Sequence, residues 1–432
     1  MSEADSKRAF YRQGSWLVIA TFISGLLMFA VHIFPFTWMS REEYGLFVTL
    51  LQILNLMMIP ALGLQTVFAQ QTAAAIEPRQ QYDLAKSTRK ILLICLYIWT
   101  AIAVIVLLNQ GAILESLKIE RPTALYVTLL LGLPQLWLPV LLGILQGRQN
   151  FAWLGGAAIA NGTGRFAAVG IIVALLGGQA AGATTGVLIG LTTACLLAGW
   201  HGRQTWLGQA GADQGSFDAK AWLGRIVPLT LGMGAGLFML SADMIAARAI
   251  LPEVDSGPYG AAGMIGRGVV AFTAPLAAVM FPKLVREAAR AKSGVLGQAF
   301  LGTAILGVLA GVGCTLAAWL LPDIVDRFPA LAAKKKILTE ITPLIPYFVW
   351  SMLPLALANV FVAALLARER YRAVPWLVGI AFIYGLTLAW LANTAEPPSQ
   401  QTIILTLGGF NLAFLGTAAA LARRYAPSPE SR

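Results

Sequence analysis

Long runs without a charged side chain dominate the chain between residues 13 and 424. A helix of about 20 apolar residues crosses the hydrocarbon core of a bilayer, because all its backbone N–H and C=O groups are paired internally. Nine runs have no charged side chain, and three further apolar spans carry one charge each, at Arg165, Asp243 and Arg267. The pattern predicts an all-α polytopic membrane protein with about 12 transmembrane helices. The charge-free runs cover residues 13–40, 44–76, 91–114, 122–147, 166–202, 293–322, 341–367, 373–395 and 397–422.

Composition supports a membrane protein and argues against other classes. Hydrophobic residues make up 58% of the chain and charged residues 12%, with a mean hydropathy of +0.72, outside the range of soluble domains. The net charge of +11 lies mainly in short loops between spans, where it sets topology, so no nucleic acid partner is expected. We find no phosphate loop, metal-ligand cluster or catalytic motif. We therefore expect no enzyme activity, no cofactor, no metal and no catalytic residue.

The distribution of basic residues predicts the orientation. With a cytoplasmic N-terminus, the loops on that side hold 21 Lys and Arg residues and the opposite loops hold 7. Basic loops stay in the cytoplasm, so both termini are expected there, in a multi-pass protein of the cytoplasmic (inner) membrane. The run Lys334–336 is the exception, because this count places it on the outer side.

Short motifs recur across the middle of the chain. Tyr44-Gly45 returns as Tyr259-Gly260, an offset of 215, and LQGRQNF at 145–151 returns as LLARERY at 365–371, an offset of 220. A Gly-rich polar segment separates the two copies. The sequence therefore predicts an N-terminal six-helix bundle at 1–207, a cytoplasmic linker at 208–216 and a C-terminal six-helix bundle at 217–432.

Two parallel six-helix repeats are expected to enclose a central cavity and to work by alternating access. Glycines four residues apart lie on one face of a helix and let helix backbones approach closely. One monomer would suffice, because the two repeats can form the pathway alone. The glycines in question are Gly143 and Gly147, Gly178, Gly182, Gly186 and Gly190, and Gly232 and Gly236.

Several segments resemble a known family, the polysaccharide-transport branch of the multidrug/oligosaccharidyl-lipid/polysaccharide exporter superfamily. The resemblance covers nearly the whole chain and implies a flippase that moves a lipid-linked oligosaccharide between leaflets, with a polyprenyl-diphosphate-linked oligosaccharide and membrane lipid as partners. The multidrug branch, a cation-coupled exporter, is the alternative. The segments are 41–47 (REEYGLF), 141–151 (LLGILQGRQNF), 165–170 (RFAAVG) with 177–178 and 182–183, and Asp243 followed by 257–262 (GPYGAA).

Charged side chains within the spans are the candidate functional residues, because they are costly in hydrocarbon. Arg165, Arg267 and Arg248 are candidates for binding substrate, since a guanidinium grips phosphate oxygens in a forked geometry. Arg248 is near the outer end of its span and could reach the interface. Asp243 could carry a coupling proton or Na⁺, or it could be the ion-pair partner of Arg248 or Arg267. Three deep arginines to one deep acid favour an anionic substrate over a cationic drug.

Overall fold

The computed structural model describes residues 3–208, 219–290, 295–327 and 335–425. These residues form α-helices joined by short turns, with no β-strand among them. The helices are α1 (Glu3–Ala30), α2 (Ile33–Trp38), α3 (Arg41–Met57), α4 (Leu64–Ala74), α5 (Pro78–Leu108), α6 (Gln110–Ser116), α7 (Thr123–Gly147), α8 (Phe151–Val169), α9 (Ala180–Leu207), α10 (Ala219–Ile250), α11 (Glu253–Arg290), α12 (Val295–Arg327), α13 (Lys335–Ile341), α14 (Leu344–Ala367), α15 (Val374–Ala392) and α16 (Gln400–Arg424).

Within the described residues, 11 segments are long and apolar enough to cross a membrane. The remaining predicted span coincides with α11, a helix of 38 residues or about 57 Å. The prediction of an all-α polytopic membrane protein with about 12 spanning helices is confirmed.

Polar side chains mark where several helices begin. The side chains of Ser40, Asn150 and Ser399 each accept a hydrogen bond from the backbone N–H three residues later, at 3.2–3.4 Å. Each bond satisfies one of the N–H groups that the first turn of a helix leaves without a partner. Pro78 opens α5, a position where the N–H that proline lacks is not needed. These residues fix the short turns between consecutive spans.

The chain divides into two compact units, unit 1 (Met1–Thr230) and unit 2 (Leu231–Arg432). The boundary between them falls inside α10. Residues 209–216 of the predicted linker lie outside the described residues. The division into 1–207, 208–216 and 217–432 and the central cavity stay predictions.

Small residues let the helices of unit 1 pack closely. A Cβ added to Gly186 or Gly190 of α9 would lie 2.5–2.6 Å from a backbone nitrogen of α8, closer than real Cβ atoms come. Gly143 and Gly147 of α7 meet the backbone of α4 in the same way. Close packing on these four glycines, which the four-residue spacing predicts, is confirmed.

Helix α14 forms the core of unit 2. It packs against α11, α12 and α16, and 72% of its most apolar window is buried. Phe348 is fully buried, and its backbone lies where a Cβ on Gly266 of α11 would come within 3.1 Å. This contact holds the middle of α11 against the core helix, one residue before Arg267.

Candidate functional site

A buried ion pair joins α10 to α11 within unit 2. The Nη2 atom of Arg267 lies 2.7 Å from Oδ1 and 2.8 Å from Oδ2 of Asp243. Arg267 Nε donates a second hydrogen bond to the carbonyl of Leu240 at 2.9 Å, and the hydroxyl of Tyr259 donates to Asp243 Oδ2 at 3.1 Å. Asp243 is 0% exposed and Arg267 6% exposed. Of the two interpretations of Asp243, the ion pair is the one present in this structure.

The pair follows from a tight helical hairpin. Helix α10 ends at Ile250 and α11 begins at Glu253, and contacts between the two helices extend away from this turn as expected for an antiparallel pair. Helical side chains lean toward the N-terminus of their helix, and the long side chain of Arg267 therefore reaches back toward the turn and Asp243. Gly263 lies one turn earlier on α11, where a Cβ would overlap Arg267 Nη1. A glycine at that position makes room for the guanidinium.

Two buried polar atoms near this pair make no hydrogen bond to another described residue. One is Arg267 Nη1 and the other is the hydroxyl of Tyr384 on α15. Tyr384 is 0% exposed and packs against the rings of Phe238 and Phe410. The ion pair thus neutralises the charge of Arg267 but leaves part of its donor capacity unused.

Arg248 is fully engaged at the turn between α10 and α11. Its Nη1 donates to Ser256 Oγ at 2.8 Å, and its Nη2 lies 3.9 Å from Glu253 Oε2. Only 1% of Arg248 is exposed. Ser256 and Glu253 therefore hold its guanidinium at the turn, and the expectation that it reaches the interface stays a prediction.

Arg165 lies in unit 1 and has a different environment. Its Nε donates to Asn161 Oδ1 one turn earlier at 2.7 Å, and it is 9% exposed. No acidic side chain of the described residues lies within 4.0 Å of its guanidinium. It stands 14 residues, about 21 Å, from the start of α8 at Phe151, well inside a core about 30 Å thick. Its stem packs against Gly190 of α9.

The structure therefore sorts the predicted site residues into distinct settings. It brings Asp243 and Arg267 together and ties Arg248 to the hairpin turn. Among the described residues, the one hydrogen-bond partner of the Arg165 side chain is the amide of Asn161. The two tyrosines near the Asp243–Arg267 ion pair, Tyr259 and Tyr384, were not predicted as site residues. Tyr259 could have been found, because it follows the turn by about as many residues as Asp243 precedes it. The sequence gives no comparable indication for Tyr384, since only the packing of α15 brings it near the ion pair.

Unit 2 also has an open pocket of about 450 Å³ where α11, α14 and α16 begin. Asp255, Glu340 and Gln400 are among its lining residues, and none of the four predicted site residues lines it. Among the described residues, no three His, Cys, Asp or Glu side chains come together in a way that could hold a metal ion.

The chain was compared with protein-family models and curated proteins, and neither comparison finds a match. Its fold does match solved structures. An inward-facing multidrug resistance MATE family transporter of the MOP superfamily matches with a TM-score of 0.70 at 13% identity, over 93% of this chain and 94% of that one. The lipid II flippase MurJ, in an inward closed conformation, matches with a TM-score of 0.69 at 13% identity, over 94% and 86%. An outward-facing MATE transporter matches with a TM-score of 0.60 at 15% identity, over 97% and 95%.

These matches extend over nearly the full length of both chains. At 13–15% identity they show a shared fold. The matched structures include both multidrug transporters and a lipid flippase, and their shared fold agrees with the fold that the sequence resemblance implies.

Proposed function

We propose that the chain is a transporter that flips a lipid-linked oligosaccharide across the cytoplasmic membrane by alternating access. The cargo would be an oligosaccharide on a polyprenyl diphosphate, moved from the inner to the outer leaflet. The protein would act as a monomer with both termini in the cytoplasm. The MurJ neighbour, a lipid II flippase, supports a lipid-linked cargo, and neighbours solved facing inward and outward support alternating access.

The observation that carries this proposal is Arg165. Its guanidinium lies deep in a membrane helix, and the partner that it has among the described residues is the neutral amide of Asn161. An uncompensated charge at the centre of a membrane helix costs at least about 2.5 kcal/mol on insertion scales. A diphosphate supplies both the opposite charge and oxygens spaced for forked contact with a guanidinium. We therefore assign Arg165 to the diphosphate of the cargo.

Arg267 would contribute differently. Asp243 already neutralises its charge, but its unused Nη1 N–H can donate to a phosphate oxygen while the ion pair stays intact. Substrate contact by Arg248 stays a prediction, because its guanidinium is buried and held by Ser256 and Glu253.

A cation-coupled multidrug exporter is the second candidate. The MATE neighbours favour it, with a TM-score equal within 0.01 to that of the flippase. Such an exporter needs an acidic group to attract cationic drugs or coupling ions. The one deep acid that the sequence offers, Asp243, is engaged by Arg267 and Tyr259. This arrangement favours the anionic cargo.

The two candidates can be separated with the purified full-length protein in liposomes. One assay follows a fluorescent polyprenyl-diphosphate oligosaccharide, by the fraction that external dithionite can reduce. The other follows the transport of ethidium, a cationic dye. We expect accelerated flipping of the diphosphate lipid and no ethidium transport. Ethidium transport without flipping would establish the exporter instead.

A further inference from the structure

Tryptophans and basic residues gather where α8 begins and α9 ends in unit 1. The tryptophans are Trp16, Trp153 and Trp200, and they are 40–62% exposed, although large aromatic side chains are usually buried. We call this set the Trp–Arg surface; it consists of Trp16, Arg148, Trp153, Trp200, His201 and Arg203.

Contacts within the surface hold its side chains in place. The guanidinium carbon of Arg203 lies 4.1 Å from the centre of the Trp200 ring, and its Nη1 donates to the Trp200 carbonyl at 3.0 Å. The rings of Trp153 and His201 are stacked, with centroids 3.5 Å apart and planes 13° from parallel. Stacking restricts rotation of the arginine while leaving guanidinium N–H groups available.

Further hydrogen bonds connect the neighbouring helices at the same level. Arg148 Nη2 donates to Gln204 Oε1 at 3.4 Å, which links the end of α7 to the end of α9. Trp16 Nε1 donates to the carbonyl of Ala152 at 3.2 Å, which places α1 beside the start of α8. Residues in or next to four helices, α1, α7, α8 and α9, therefore form the surface at one end of unit 1.

Helix length places this surface at the membrane interface. Trp200 follows Ala180, the first residue of α9, by 20 residues or about 30 Å, which is the thickness of the hydrocarbon core. Tryptophans concentrate at that boundary, between acyl chains and headgroups. The basic groups of Arg148 and Arg203 then lie at the depth of lipid phosphates.

The charge of the Trp–Arg surface decides which kind of lipid headgroup it can bind. Residues 123–208, which include α7, α8 and α9, contain no Asp or Glu. The arginines of the surface therefore face the headgroup layer without an acidic neighbour on these helices. Each basic group near an anionic membrane surface contributes about a fivefold gain in affinity.

We propose that the Trp–Arg surface is a binding site for the headgroup of an anionic glycerophospholipid. Arg148 and Arg203 contact the phosphate, and Trp153 and Trp200 lie against the glycerol and upper acyl chains. The site is separate from the deep arginines and does not depend on which cargo the protein transports. By positive-inside orientation it faces the inner leaflet.

The test measures how tightly the purified full-length protein binds phosphatidylglycerol, by native mass spectrometry from detergent. Phosphatidylcholine of the same chain length serves as the neutral comparison, and inorganic phosphate as the soluble one. We expect preferential retention of phosphatidylglycerol. The double variant Arg148→Gln/Arg203→Gln should bind it about 30-fold more weakly, and the corresponding double Lys variant should retain most of the affinity.

The matched control is Arg423→Gln/Arg424→Gln, which removes the same charge from two exposed residues in the last turn of α16. It should leave the affinity for phosphatidylglycerol unchanged. Equal affinity of the Arg148/Arg203 variant and wild type overturns the site, and so does an equal loss in the control. Displacement of the lipid by millimolar inorganic phosphate would show a general anion site and contradict the assignment to a lipid headgroup. Thermal unfolding of each variant confirms that the folded protein is being compared.

Discussion

At the level of single residues, Arg267 and Arg165 are held by different kinds of partner. Arg267 has the carboxylate of Asp243 at 2.7 Å, whereas Arg165 has the neutral oxygen of Asn161 at the same distance. A paired charge in a buried site is held by its partner, and removing one member leaves the other unpaired. An arginine with an amide partner keeps its net charge and attracts an anion. The first arrangement suits folding and the second suits binding.

This distinction predicts the response to mutation of the pair. Asp243→Asn should lower the free energy of unfolding by about 3–5 kcal/mol, because it leaves Arg267 charged, buried and without a counter-ion. Thermal and denaturant unfolding of the purified protein in detergent measures the change. Tyr259→Phe, which removes one hydrogen bond to the carboxylate, should cost only about 1 kcal/mol.

A control removes both charges at once. Asp243→Leu/Arg267→Met keeps similar volume and should be more stable than Asp243→Asn, since no buried charge is left unpaired. If the double variant is less stable than the single one, the pair does more than neutralise itself, and its assignment as a structural ion pair is wrong.

At the level of helices, glycine positions decide how closely α8 and α9 approach. Gly190 receives the backbone and side-chain stem of Arg165, so the same contact that packs the helices also orients the candidate binding residue. Close packing without side chains is a main source of helix association in membranes, where lipid and protein interiors are equally apolar.

Gly190→Ala should therefore destabilise unit 1 by about 1–3 kcal/mol, because its Cβ would lie 2.5 Å from atoms of Arg165. Thermal unfolding measures this, and flipping activity should fall with it as Arg165 shifts. Gly379→Ala in α15 is the matched control, since no atom lies within 4 Å of its added Cβ. A Gly190→Ala variant as stable and active as wild type would mean that the α8–α9 contact adapts without cost.

Much at this scale could be predicted from the sequence. Uninterrupted apolar runs indicated the spanning helices, and glycine spacing indicated the close contacts at Gly143, Gly147, Gly186 and Gly190. The α11 span was predictable despite Arg267, because its neighbours are apolar. The sequence left the ion-pair partner of Asp243 open, since either Arg248 or Arg267 could have paired with it. The hairpin turn and the lean of the long side chain selected Arg267.

At the level of the whole molecule, the topology rests on the excess of basic residues in alternate loops. It can be tested in a variant without Cys95, Cys195 and Cys314, by adding single cysteines at exposed turns. Ala395→Cys, between α15 and α16, should react with an impermeant maleimide in intact cells. Ile76→Cys, between α4 and α5, should react only after permeabilisation. Both side chains belong to exposed positions, so accessibility within the fold does not limit the reaction. The reverse pattern would invert the orientation.

The fold at this scale was predictable, since hydropathy indicated an all-α membrane protein with about 12 spanning helices. Cargo was not predictable in the same way. MATE transporters and a lipid flippase share this fold at 13–15% identity, so the fold alone does not indicate which cargo is moved. Arg165 was identifiable as a deep charge, but only the packing of α8 and α9 showed that its partner within the described part of the chain is an amide and not an acid.

The central claim is that Arg165 binds the anionic group of the cargo, and the rate of flipping by its variants tests this most directly. In liposomes with a fluorescent polyprenyl-diphosphate oligosaccharide, Arg165→Gln should flip at least about tenfold more slowly than wild type, with unchanged thermal stability. Arg165→Lys should recover part of the rate, because a point charge lacks the forked contact. Arg89→Gln, which removes an exposed charge from α5, should flip at the wild-type rate. An Arg165→Gln protein that is folded and flips the lipid as fast as wild type would contradict the account.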